Sequence, residues 1–82
     1  MQITVKLFAI FQETFGAEEM QMELEPNARI SQVFDRLVTM QPQLAEWRSL
    51  TRYALNLEFV EPDTALPDRP IEVAIIPPVS GG

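Results

Sequence analysis

The chain has 82 residues, 46% of them hydrophobic, and twelve acidic against six basic side chains give a net charge of −6. That length makes one domain with one modest core and leaves no room for a deep private active site beside it. Cysteine and histidine are both absent, which removes disulfides, thiolate nucleophiles, cysteine metal sites and the commonest general base.

The excess of acidic residues leaves no basic face for phosphates, so no nucleic-acid partner is expected. No signal peptide and no run of 18 apolar residues is found. The expectation is therefore a soluble, cytoplasmic protein that engages no membrane. The acidity serves solubility or steers a partner with a basic surface, and the sequence leaves both open.

Residues 2–9 alternate, with Ile3, Val5 and Leu7 on one side and Gln2, Thr4 and Lys6 on the other, the pattern of a half-buried strand. Phe8, Ile10, Phe11 and Phe15 break that period. Ile10 to Phe15 reads as a short helical turn closed by Gly16, with Phe11 and Phe15 four apart and packed together, and the aromatic cluster is assigned to the core. Glu19 to Glu25 alternates again, with Met20, Met22 and Leu24 inward, and pairs with the first strand as a hairpin. Its outward carboxylates form a solvated face, and Pro26-Asn27 ends it.

Ser31 is placed as the N-cap of a helix from Gln32 to about Met40. Val33, Phe34, Leu37, Val38 and Met40 form its apolar stripe. Pro42 ends that helix. A second turn or short helix over Gln43 to Leu50 sets Leu44, Trp47 and Leu50 on one side. Trp47 packs or anchors an interface, and packing is favoured. Tyr53 to Val60 reads as strand interrupted at Asn56-Leu57-Glu58. A proline-rich surface crossing, 62–70, leads into the last strand, Ile71 to Ile76. The apolar run Val73-Ala74-Ile75-Ile76 marks that strand as central or covered by a partner. The order predicts an α+β roll with the main helix on one sheet face and the last strand beside the first.

The end of the chain is unlike the rest. After Ile76 come Pro77, Pro78, Val79, Ser80, Gly81 and Gly82. Two prolines fix φ and remove two amide donors, so the ladder ends near Ile76 and no helix starts there. Gly81 and Gly82 lack a Cβ and can thread a narrow channel. Extended, residues 77–82 reach roughly 20 Å at about 3.3 Å per residue. With glycine at about 7% of residues, a terminal pair arises by chance in roughly one chain in 200, so the weight rests on Gly-Gly following an apolar strand and a Pro-Pro spacer. The expected division is a domain over 1–76 and an extended tail over 77–82.

This ending, from Glu72 to Gly82, closely resembles that of the molybdopterin synthase small subunits, β-grasp, ubiquitin-like sulfur carriers. Val5-Lys6-Leu7-Phe8-Ala9, Glu13, Gly16, Asn56, Val60, Asp63, Leu66 and Asp68 also stand at family-like positions. Two departures are present. The turn Asp68-Arg69-Pro70-Ile71-Glu72 is one residue longer than the family's and lacks its glycine, and Gln12 replaces a residue that is often basic.

The resemblance implies an α+β, β-grasp roll and a sulfur-carrier role in molybdenum cofactor biosynthesis. A partner E1-like adenylating enzyme uses ATP to activate the Gly82 carboxylate, a sulfur donor converts it to a thiocarboxylate, and the large catalytic subunit uses that sulfur on cyclic pyranopterin monophosphate within a heterotetramer. The chain itself binds no cofactor and no metal; it supplies a positioned nucleophile to chemistry done by its partners. Gly82 carries the sulfur, Gly81 gives clearance, and Ile75, Ile76, Pro77, Pro78, Val79 and Ser80 dock. The rival readings are a sulfur carrier for thiamine thiazole synthesis, a ubiquitin-like modifier conjugated to lysines, and an interaction module whose Gly-Gly is accidental.

Overall fold

The computed structural model describes residues 1–69 and 71–78. Its elements are β1 (Gln2–Leu7), α1 (Ile10–Phe15), β2 (Glu19–Glu23), α2 (Ser31–Met40), a 3-10 helix (Pro42–Leu50), β3 (Arg52–Leu55), β4 (Glu58–Val60) and β5 (Glu72–Ile76). The sheet order is β2-β1-β5-β3-β4. β5 runs parallel to β1 and antiparallel to β3, while β1–β2 and β3–β4 are antiparallel hairpins. The last strand is therefore central and lies beside the first, as its continuous apolar run requires.

The pleat divides the sheet into two faces. Ile3, Val5, Leu7, Met22, Tyr53, Val73 and Ile75 enter the core, where Val33, Phe34 and Leu37 of α2 and Phe11 of α1 cover them. The Phe11 and Phe34 rings meet edge to face, with centroids 5.9 Å apart, a favourable aromatic geometry. Gly16 closes α1 in the left-handed region at φ 68°, and its N–H bonds the Gln12 carbonyl.

Several expectations are corrected. The first strand stops at Leu7, and Phe8 is exposed instead of joining the core. α2 begins at Ser31 with no side-chain cap. The crossing supplies acceptors: the Ile30 and Ser31 N–H groups bond the Thr64 and Pro62 carbonyls. The next donors, the Gln32 and Val33 N–H groups, bond the Arg29 and Ile30 carbonyls, so backbone satisfies the start of the helix and the Ser31 hydroxyl makes no capping bond. Met40 and Leu50 are exposed, so the helix stripe ends at half-buried Val38. Pro42 opens the 3-10 helix as well as ending α2, and it does so without cost because an N-terminal donor is unused there. The interruption after β3 is two residues, Asn56 and Leu57, both at positive φ, and Glu58 already belongs to β4.

Candidate functional site

The second sheet face is open. One row crosses it in register: Glu19, Lys6, Ala74, Ala54 and Phe59. Two alanines make a low floor at its centre. Phe59 stands beside them, 60% exposed, with the Arg52 guanidinium 4.5 Å from its ring centroid, a cation–π contact. Ile76, half-buried, lies opposite Arg52 on this face, so the root of the tail is built into it.

Phe8 and Leu57 extend the apolar surface. They share a groove of about 490 Å³ with Lys6, Gln12, Glu72 and Ala74. Phe8 is 46% exposed and Leu57 88%. Strained backbone sits at the same two corners: Ala9 holds φ 50°, ψ −122° and Leu57 holds φ 74°. Non-glycine residues in such conformations cost of order 1–3 kcal/mol each, and their clustering beside exposed apolar side chains points to function.

Asn56 locks the strained turn to the root of β5. Its N–H donates to the Glu72 carbonyl at 2.9 Å, and its side-chain carbonyl accepts from the Glu72 N–H at 2.9 Å. The turn and the strand that ends in the tail are therefore one hydrogen-bonded unit.

The residues expected to dock divide into three groups. Ile75 is fully buried between Leu7 and Tyr53, so its side chain serves the core and offers no docking surface. Pro77 is also buried, whereas Ile76 and Pro78 reach the surface. Val79, Ser80, Gly81 and Gly82 lie outside the described residues. The sequence reading missed Phe8, Leu57 and Phe59. The signal for Phe8 was its phase: it follows Gln2, Thr4 and Lys6 on the outward register, opposite to Ile3, Val5 and Leu7.

Among the described residues, no group of three or more acidic side chains is arranged to hold a metal ion, and no helix is long and apolar enough to cross a membrane. The half-buried Trp47 packs against the core.

The profile of the ThiS family matches residues 5–82. The chain is 37% identical over 82 residues to the molybdopterin synthase sulfur carrier subunit of Arabidopsis thaliana, covering 100% of this chain and 84% of that protein. It is 39% identical over 84 residues to the protein of the same description from Chlamydomonas reinhardtii, covering 100% of both. Among solved structures, SAMP1, the small archaeal modifier protein 1 of Haloferax volcanii, matches with a TM-score of 0.82 at 26% identity over 100% of both chains. The five-stranded mixed sheet with its covering helix is the ubiquitin-like β-grasp. Matched from its first strand to its last residue, with whole-length identity to plant and algal sulfur carriers, this chain belongs to the ThiS family, alongside the molybdopterin synthase sulfur carrier subunits.

Proposed function

We propose that the chain is the sulfur carrier of a molybdopterin synthase. The observation that carries this reading is its 37–39% identity, along its whole length, to proteins described as that subunit. Its chemistry is consistent with the role. The chain has neither cysteine nor histidine, so it contributes a displayed acyl group and leaves acid–base work to partners.

In this reading an E1-like enzyme transfers AMP from ATP to the Gly82 carboxylate, releasing pyrophosphate. A persulfide donor displaces AMP to give an acyl disulfide, and a second thiol of the partner attacks the donor's sulfur, leaving the thiocarboxylate on Gly82 and a disulfide on the partner. Its sulfur then attacks cyclic pyranopterin monophosphate in the large subunit. The open face of Phe8, Leu57, Phe59 and Ile76 docks those partners, with Pro78 setting the direction in which the tail leaves. A hydrophobic centre beside a charged rim is the usual anatomy of such an interface.

The test is the mass of the C-terminal fragment after incubation with ATP, the adenylating enzyme and a persulfide donor. A sulfur-for-oxygen shift at Gly82, trapped by a thiol alkylator, is expected. No shift, beside a positive-control carrier that does react, overturns the reading. The likeness to SAMP1 favours a second reading as a protein modifier, which predicts isopeptide adducts between Gly82 and lysines of other proteins in cell extracts.

A further inference from the structure

β2 is an edge strand of the sheet, and its outer side is free. The Leu7 N–H bonds the Glu18 carbonyl, and the Leu24 N–H bonds the Met1 carbonyl. With Lys6 opposite Glu19 and Gln2 opposite Glu23, the antiparallel alternation turns the backbone groups of Glu18, Met20, Met22 and Leu24 towards β1. Those of Glu19, Gln21 and Glu23, donor and acceptor alike, point outward, and no strand of the sheet takes them up. The register runs from Glu19 to Glu23 without a bulge, and the strand contains no proline, so its backbone does nothing to block pairing.

The side chains select the occupant. Glu19, Gln21 and Glu23 stand exposed on one side of the edge, with half-buried Met20 and buried Met22 on the other. From Ala9 to Ala28 the chain carries Glu13, Glu18, Glu19, Glu23 and Glu25 and no basic residue. Lys6 offsets one of these carboxylates through its ion pair with Glu19. A second copy is a poor occupant. Antiparallel pairing of two such edges about Gln21 sets Glu19 against Glu23 of the other copy, and parallel in-register pairing sets each glutamate against its own counterpart. Like charges directly opposed destabilise a strand pair, whereas opposite charges stabilise it.

We propose that this edge is a second docking site, which takes an extended segment of alternating basic and apolar residues by adding it to the sheet. Main-chain hydrogen bonds to Glu19, Gln21 and Glu23 hold the segment. Its lysines or arginines lie against the carboxylates. Its apolar residues lie over Met20, whose flexible side chain adapts to them.

β5, which leads into the tail, lies on the far side of β1 from this edge. The edge is therefore separate from the root of the tail, and the proposal does not rest on the sulfur-carrier reading.

The test uses the full chain and a short peptide of alternating lysine and valine, with amide hydrogen exchange read residue by residue by NMR. In the free chain the Glu19, Gln21 and Glu23 amides should exchange fast, beside slow ones at Met20 and Met22. Peptide at about ten times its Kd should slow the outward amides about tenfold. The same peptide methylated at every backbone nitrogen keeps its charge and loses its donors, and it should bind about tenfold more weakly or worse. Protection of the outward amides already in the free chain, no slowing at millimolar peptide, or equal binding by the methylated peptide overturns the proposal. So does a response confined to Phe8, Leu57 and Phe59, which would place the peptide on the open face. The double change Glu19→Gln with Glu23→Gln should weaken binding at least about twofold, with circular dichroism showing the fold intact. Unchanged affinity in that variant overturns the basic occupant.

Discussion

Leu57 is the residue whose energetics are hardest to explain by folding alone. It is 88% exposed and holds φ 74°, a conformation that costs a leucine about 1–2 kcal/mol and a glycine almost nothing. Leu57→Gly should therefore leave the domain as stable as before or up to about 1 kcal/mol more stable, the relief of strain being partly offset by a looser unfolded chain. The same change should weaken binding of the large subunit at least several-fold. A urea midpoint and a calorimetric titration check the two halves. A clear loss of stability would refute the strain argument, and unchanged affinity would refute the docking face. The sequence placed Leu57 in the interruption between strands, but a leucine there carries no sign of its positive φ or of the face it joins. Phe8 was hidden for a different reason: composition favours burial of aromatics, and only the period of two, continued from Lys6 past Leu7, places it outward.

At the scale of elements, periodic segments were legible and their ends were not. The β1–β2 hairpin, the short helix stopped by Gly16 and the central last strand follow from pattern and turn chemistry. The start of α2 does not, because what satisfies its first donors is the backbone of a crossing more than thirty residues later. Ser31 has the composition of a cap but no capping bond, so Ser31→Ala should cost less than about 0.5 kcal/mol, below the usual loss of a working cap. Asn56 is the contrasting case. It was read as a turn residue, and it also accepts the Glu72 N–H across to β5. Asn56→Ala removes that acceptor and should cost about 1–2 kcal/mol, with faster amide exchange at Glu72 as its local signature. Equal effects from the two substitutions in a paired denaturant series would show that capping and turn locking had been misassigned.

For the molecule as a whole, the missing histidine shifts attention to the alkaline limb of stability. Tyr53, the only tyrosine, lies on the inner face of β3. Burial raises its phenol pKa above the ordinary 10.0; the nearby Arg48 cation opposes this and Asp35 adds to it. Lys6 is also raised above its ordinary 10.5, chiefly by its hydrogen bond and charge interaction with Glu19. Both groups hold their protons more tightly folded than unfolded. Their contributions are therefore fully present below the unfolded values of 10.0 and 10.5, and are lost as pH rises through the higher folded values. Thermal midpoints should fall progressively above about pH 10. Ultraviolet absorbance reports tyrosinate at this one residue, and it should appear at higher pH in the folded chain than in urea. Tyr53→Phe removes the phenol while keeping the ring, so its midpoint should fall less steeply over the same range. A variant that tracks the parent would mean that Tyr53 ionises without penalty. The alkaline loss would then belong to Lys6, and Glu19→Gln, which removes the anion that raises its pKa, should flatten it instead.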